Sequence, residues 1–192
     1  MGMFELRYQT PPEWVSTALS DFDAFLMDHA SCERKASAVG MSFVVRYPDR
    51  QAILEPMINF AREELEHFHQ VYRLIAARGL SLQSDEPDAY VNLLMDCVRF
   101  GREERFLDRL LVSSVIEARG HERIMLVANH LTDPDLKNLY TRLGRAEGTH
   151  KTLFVELAEL YFPIPIIKTR LSQLLDFEAE AIQKVPHRSA LH

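Results

Sequence analysis

Two motifs of the same kind contain the residues best suited to chemistry. A glutamate is followed three residues later by a histidine at Glu64 and His67, and again at Glu147 and His150. Residues three apart on an α-helix lie on one face about one turn apart, so each pair can bind one ion from a single helix. Carboxylate and imidazole ligands together favour iron, manganese or zinc. The two motifs therefore predict two metal-binding helices.

A single glutamate precedes each motif at almost the same distance. Glu33 lies 31 residues before Glu64, and Glu117 lies 30 residues before Glu147. This repeat indicates a duplicated helical hairpin in which each copy supplies half of a site. One glutamate and one Glu-x-x-His step, used twice, form the ligand set of a carboxylate-bridged metal pair in a four-helix bundle. We predict these metal ligands: Glu33, Glu64, His67, Glu117, Glu147 and His150.

The hydrophobic pattern predicts the helices that would position these ligands. Apolar residues recur at helical spacing, and each proposed ligand falls on an apolar stripe where a core residue is expected. A buried carboxylate is costly unless it is paired, so this position favours metal binding over a solvated acid. The predicted helices cover residues 12–38, 49–78, 88–99, 103–131, 134–161 and 165–184.

Proline and glycine set the expected helix ends. Pro12 opens the first helix, since proline is tolerated in a first turn. Gly40 is expected just beyond the end of that helix, and Gly79 just beyond the second. Pro56 is expected either to kink the second helix or to mark its true start. A further interruption is expected near Gly101.

Composition indicates a globular, mostly helical chain. The 192 residues suit one domain, residues 1–192, and the low count of 7 glycines favours helices. No apolar run reaches the roughly 18 residues of a membrane span, and the N-terminus lacks a signal-peptide apolar core. We therefore expect a cytoplasmic protein with no membrane partner. The net charge of −6 argues against a generic nucleic-acid binder but leaves room for a local basic patch.

Other histidines and cysteines are expected to have structural roles. Glu66 and His69 also match the motif, but they lie off the apolar stripe and are rejected as ligands. His29 and His121 each lie one turn from a proposed ligand and are interpreted as hydrogen-bonded core histidines. Both stay open as extra ligands or as partners that orient a carboxylate. The two cysteines, Cys32 and Cys97, are interpreted as ordinary helix residues.

Two basic clusters have alternative interpretations. They are interpreted first as solvated faces or ion-pair partners, and second as phosphate contacts with aromatic rings that stack on a base. The first cluster comprises Arg99, Arg102, Arg105, Arg109, Arg119 and Arg123, and the second comprises Phe43, Arg46, Tyr47 and Arg50.

The residues around the motifs resemble a particular family. The repeat itself belongs to the wider ferritin-like superfamily, whereas the flanking residues resemble the bacterial tRNA hydroxylases that act on 2-methylthio-isopentenyl-adenosine beside the anticodon. The resemblance spans almost the whole chain. It includes the segments Thr10–Trp14, His29–Ala36, Ala61–Phe68, Ile116–Arg119 and Glu147–His150.

The resemblance implies an all-α, ferritin-like four-helix bundle with additional short and C-terminal helices. It also implies a non-haem di-iron monooxygenase that hydroxylates the isopentenyl side chain. Two iron ions would be the cofactors, dioxygen the co-substrate and tRNA the partner, with electrons from an external donor protein or reductant. The six proposed ligands carry over, with no further catalytic residue. Glu64 with Glu147 is one possible bridging pair, and Glu33 with Glu117 would then be terminal.

Two rival functions use the same helices differently. One is another di-iron oxidase, either a ferroxidase that stores iron in a large shell or a peroxidase. A peroxidase of this superfamily often carries an added domain with four cysteines, and this chain has two. The other rival is a metal-free helical interaction module. The oligomeric state and the choice of iron over manganese stay open.

Overall fold

Residues 5–192, which the computed structural model describes, form seven α-helices and no β-strand. None of these helices combines the length and apolar character needed to cross a membrane. The helices are α1 (Pro12–Ser20), α2 (Phe22–Arg46), α3 (Gln51–Ala77), α4 (Ala89–Asp96), α5 (Arg102–His130), α6 (Pro134–Glu159) and α7 (Ile164–Lys184).

The helices group into two compact units. One unit contains residues 16–86 and 188–191, and its main elements are α2 and α3. The other contains the described residues up to Val15, then Pro87–His187 and His192, with α4 to α7 as its main elements. Each unit is built on one long antiparallel helix pair, α2 with α3 and α5 with α6.

The prediction of the first helix is wrong in two respects: the helix is not continuous, and it does not end before Gly40. It breaks at Asp21, whose side chain caps α2 by accepting a hydrogen bond from the Ala24 amide at 3.0 Å. Helix α2 then continues through Gly40 instead of ending there. A Cβ atom at Gly40 would lie 2.9 Å from Phe60 Cδ1, so glycine permits a close approach of α2 to α3. Packing between helices, which local propensity does not report, therefore explains this glycine.

Helix α3 agrees closely with its prediction. It begins at Gln51, so the interpretation of Pro56 as the true helix start is wrong, and Pro56 lies inside the helix. Gly79 follows its end with a φ of 73°, in the left-handed region that glycine adopts without strain. The predicted stop at Gly79 is confirmed.

In the other unit, α7 packs on α5 through a fully buried ion pair. Arg119 of α5 donates two hydrogen bonds to Glu178 of α7, at 2.8 and 3.0 Å. It also donates to Thr10 and to the carbonyl of Tyr8, which ties the N-terminal segment to the same helix. Burial disfavours the charge on Arg119, but the hydrogen bonds and charge of Glu178 outweigh it and raise the pKa of the guanidinium.

Candidate metal centre

The register of the α2–α3 pair brings its three proposed ligands together. Ser37 of α2 donates a hydrogen bond to the Ala61 carbonyl of α3 at 2.7 Å. One turn further along α2, Gly40 lies against Phe60 and the carbonyl of Met57, so rising numbers in α2 meet falling numbers in α3. Continuing this register in the other direction places Glu33 opposite the turn of α3 that carries the Glu-x-x-His motif.

Glu33, Glu64 and His67 form the α2–α3 half-site. Each offers a ligand atom, and these atoms lie within 4.8 Å of one another. His67 Nδ1 lies 3.6 Å from Glu33 Oε2 and 3.7 Å from Glu64 Oε2. All three side chains are buried, Glu64 with 1% of its surface exposed. Two carboxylates and one imidazole thus converge in an interior where a cation would offset their charge.

The α5–α6 pair repeats this construction. Ser114 of α5 donates a hydrogen bond to the Lys151 carbonyl of α6, and His121 Nδ1 lies 2.5 Å from the Gly144 carbonyl. These contacts again run in opposite directions along the two helices. The antiparallel register places Glu117 opposite the motif of α6.

Glu117, Glu147 and His150 form the α5–α6 half-site. Their ligand atoms lie within 4.8 Å of one another, and His150 Nδ1 is 3.4 Å from Glu147 Oε2. All three side chains are buried. The donor set is the same as in the α2–α3 half-site, two carboxylates and one imidazole. Each half-site therefore fits a divalent iron, manganese or zinc ion by the chemistry of its donors and leaves coordination positions to be filled.

The two histidines beside the half-sites both have hydrogen-bonding roles. His29 is fully buried, and its Nε2 lies 2.6 Å from Glu33 Oε1. His121 contacts the Gly144 carbonyl. Its ring also lies close to Gly148, where an added Cβ atom would be 3.1 Å from the ring. His29 is therefore a hydrogen-bonded core histidine, as interpreted, whereas His121 is hydrogen-bonded but only half-buried. The i, i+4 spacing of His29 and Glu33 was the signal for this contact in the sequence, where orientation of a carboxylate was one of the open interpretations.

Two other sets of residues considered in the sequence differ in exposure: one is exposed and the other is buried. Glu66 and His69 are both exposed, as expected of residues off the apolar stripe. Phe43 and Tyr47 are buried, so the interpretation of these rings as a base-stacking surface is wrong. They face the core because α2 continues past Gly40 as a helix instead of opening into a loop.

Arginines of the first basic cluster have different environments: one forms an ion pair and another is buried. Arg99 forms an ion pair with Asp108 at 2.7 Å, as one interpretation expected. Arg123 is buried instead of solvated, and its guanidinium lies 4.5 Å from the centroid of the Trp14 ring. Burial, followed by the positive charge of Arg119, lowers the pKa of Arg123 to about 10.

Replacing Glu66 by alanine is expected to leave metal content unchanged. Its side chain is exposed, and its Oε2 lies 3.9 Å from Nδ1 of the exposed His69. Exposed substitutions of this kind change stability by no more than about 0.5 kcal/mol. Metal analysis of the purified variant checks the expectation, and loss of one metal equivalent would place Glu66 at the site.

The fold is that of the ferritin-like class. The structure matches "Protein 43 with aldehyde deformylating oxygenase activity from Synechococcus" with a TM-score of 0.92 and 38% identity, covering 97% of this chain and 94% of that one. The all-α, ferritin-like fold expected from the sequence is confirmed, including the short α4 and the C-terminal α7.

The chain belongs to the tRNA-(MS[2]IO[6]A)-hydroxylase (MiaE) family, whose model matches residues 3–192. It is 32% identical to the tRNA 2-(methylsulfanyl)-N(6)-isopentenyladenosine(37) hydroxylase of Pseudomonas putida, over 95% of this chain and 89% of that protein. It is also 30% identical to the enzyme of the same name from Salmonella typhimurium, over 58% of this chain and 41% of that protein.

Proposed function

We propose that this protein hydroxylates the isopentenyl side chain of 2-methylthio-isopentenyl-adenosine in tRNA. The observation that carries the proposal is the family match over residues 3–192, together with near-full-length identity to the Pseudomonas putida enzyme. The reaction inserts one atom of dioxygen into a C–H bond and reduces the other to water, so it needs two electrons and two protons. An external electron donor supplies these electrons. The tRNA substrate makes the cytoplasm the compartment we propose.

We further propose that the two half-sites act together, in one domain spanning residues 1–192, as a single di-iron centre. Each half-site has two buried carboxylates and one imidazole, which is half of the ligand set of a carboxylate-bridged pair. Two iron ions at these ligands would supply the redox chemistry that activates dioxygen. Four carboxylates would balance four positive charges, which explains why this many acids can lie in an apolar interior.

The chain's own residues hold these ligands in place. His29 lies within hydrogen-bonding distance of one oxygen of Glu33, so the other oxygen is directed toward His67. The Ser37 bond to α3 fixes the register of the hairpin, and Ser114 does the same between α5 and α6. The protein's part in the reaction is to hold a fixed ligand geometry in a buried site.

The direct test is hydroxylation of the modified nucleoside. Reduced, iron-loaded protein is incubated with tRNA that carries 2-methylthio-isopentenyl-adenosine and with air, and the nucleosides are then analysed by mass. We expect a product with one added oxygen atom. Unchanged nucleoside in the presence of fully loaded protein, intact tRNA and reductant would contradict the proposal.

A second candidate is oxidation of a different substrate at the same site. It is favoured by the 38% identity to the Synechococcus protein, whose name gives aldehyde deformylating oxygenase activity. The same iron-loaded protein is therefore assayed with a long-chain aldehyde. Release of the formyl group, with no oxygen added to tRNA, would favour this candidate.

Replacing His29 by phenylalanine is expected to weaken iron binding by about 10- to 100-fold, the usual effect of losing a residue that orients a metal ligand. The phenyl ring occupies similar space but cannot form a hydrogen bond with Glu33. The His29→Gln variant should recover much of the affinity, because its amide can donate to the same oxygen. Iron titration by absorbance measures both variants.

The control for this prediction is His69→Phe, which changes an exposed histidine on α3. It should bind iron like the unmodified protein. Equal iron affinity in His29→Phe and His69→Phe would show that the contact between His29 and Glu33 does not position the ligand.

A further inference from the structure

The outer face of α6 carries positive charge and no exposed acid over most of its length. Between residues 136 and 155 its cations are Lys137, Arg142, Arg145 and Lys151, and its one carboxylate is the buried Glu147. The two arginines and Lys137 are exposed, and Lys151 is half-buried. Lys151 follows Arg142 by nine residues, about half a turn around the helix, so it lies on the opposite side of α6; the three exposed cations extend over about 12 Å of helix. We call Lys137, Arg142 and Arg145 the α6 basic face.

In the part of the chain that the structure describes, none of these three side chains forms an ion pair or a side-chain hydrogen bond. Arginines elsewhere do find carboxylates. Arg34 pairs with Asp85, and Arg78 pairs with Asp23 at 2.5 Å. Three exposed like charges on one helix repel one another and gain nothing from neighbouring acids, which makes this face ready to bind an external anion.

The equivalent helix of the other hairpin lacks this feature. Helix α3 also carries a Glu-x-x-His motif and exposes two arginines, Arg62 and Arg73. However, it also exposes the acids Glu55, Glu63 and Glu66, so its outer face is net acidic. The positive face is therefore particular to α6 and is not a general property of the metal-binding helices. It is also unexpected in a chain whose net charge is −6.

We propose that the α6 basic face binds the phosphates of the tRNA anticodon stem-loop, an inference that rests on the proposed function. Guanidinium groups bind phosphate oxygens through paired hydrogen bonds, and lysines bind them as point charges. Phosphate contacts set the position of a nucleic acid without reading its sequence. This is what an enzyme needs when the modified nucleoside itself is the feature that it recognises.

The position of the face along α6 also fits this role. Arg145 lies two residues before Glu147 and is exposed, so the helix presents a cation outward at the level where it presents ligands inward. Acids bound the face at both ends, at Asp133 and Asp135 and at Glu156 and Glu159. The short basic stretch suits a compact stem-loop rather than a long duplex.

The test removes two of these charges. The iron-loaded, full-length Arg142→Gln/Arg145→Gln variant is titrated with a fluorescent anticodon stem-loop that carries the modified adenosine, at several salt concentrations. Losing two phosphate contacts should weaken binding by about tenfold and reduce the slope of log K against log salt by roughly 1.4 to 2. In the hydroxylation assay, KM should rise while kcat stays nearly unchanged, since the ligands are intact.

The matched control is Arg62→Gln/Arg73→Gln, which removes the same charge from the exposed face of α3. It should bind RNA with the affinity and salt slope of the unmodified protein. Equal weakening of RNA binding in the two variants, or unchanged binding in the α6 variant, would refute the proposal that the α6 basic face binds tRNA. The proposed function would still stand if the unmodified protein binds and hydroxylates the RNA. Failure of the unmodified, iron-loaded protein both to bind and to hydroxylate the RNA would overturn the proposed function itself.

Discussion

Replacing Glu147 by alanine is expected to remove iron binding and hydroxylation together. Glu147 is buried beside His150 on α6, and its carboxylate is one of two in the α5–α6 half-site. Loss of residues that merely orient ligands lowers metal affinity by about 10- to 100-fold, so loss of a ligand should cost at least about 100-fold in both affinity and turnover. Iron analysis of the purified variant and nucleoside mass analysis measure the two effects.

The control is Glu156→Ala, which removes an exposed carboxylate from the same helix. This variant should keep its iron and its turnover, because Glu156 faces solvent. Full iron loading and normal turnover in Glu147→Ala would refute the assignment of this residue as a ligand. Loss of iron in both variants would instead indicate that α6 as a whole tolerates substitution poorly.

Replacing Glu178 by alanine is expected to lower the free energy of unfolding by about 3 kcal/mol, the lower end of the usual cost of breaking a buried ion pair, because Arg119 keeps a second carboxylate partner in Glu122. Arg119 and Glu178 are both fully buried, and the Tyr90 hydroxyl donates to the same carboxylate at 3.2 Å. The alanine would leave the Arg119 charge in the interior with fewer acceptors. Urea unfolding followed by circular dichroism measures the change.

The control is Glu180→Ala, two residues further along α7. Glu180 forms a pair with Lys184 at 3.7 Å in which both side chains are mostly exposed. Such pairs contribute little because water and salt screen them. A change in unfolding free energy that is as small for Glu178→Ala as for Glu180→Ala would show that the buried pair does not stabilise the α5–α7 contact.

The ligand candidates were accessible to sequence analysis because helical geometry is local. An i, i+3 spacing on an apolar stripe specifies which side chains share a buried face, whatever surrounds the helix. Each predicted triad accordingly lies within its own hairpin with its ligand atoms within 4.8 Å. The same locality explains why the ends of α3 were predicted within two residues.

The errors occurred where contacts between helices override local preferences. Gly40 resembles a helix stop, but it lies inside α2, where the close approach of Phe60 leaves no room for a larger residue. Phe43 and Tyr47 resemble a surface cluster, but the continued helix turns them into the core. In both cases the deciding atoms belong to the overall packing and not to the neighbouring sequence.

The sequence by itself determined which residues are the candidate ligands and that they repeat as two hairpins, because spacing and apolar periodicity follow from the geometry of a single helix. Only the tertiary structure decided the partners of polar side chains. It buried Arg119 against Glu178 and left the exposed cations of α6 without carboxylates. Whether a charge is paired depends on atoms far away in the chain, and folding alone brings those atoms together.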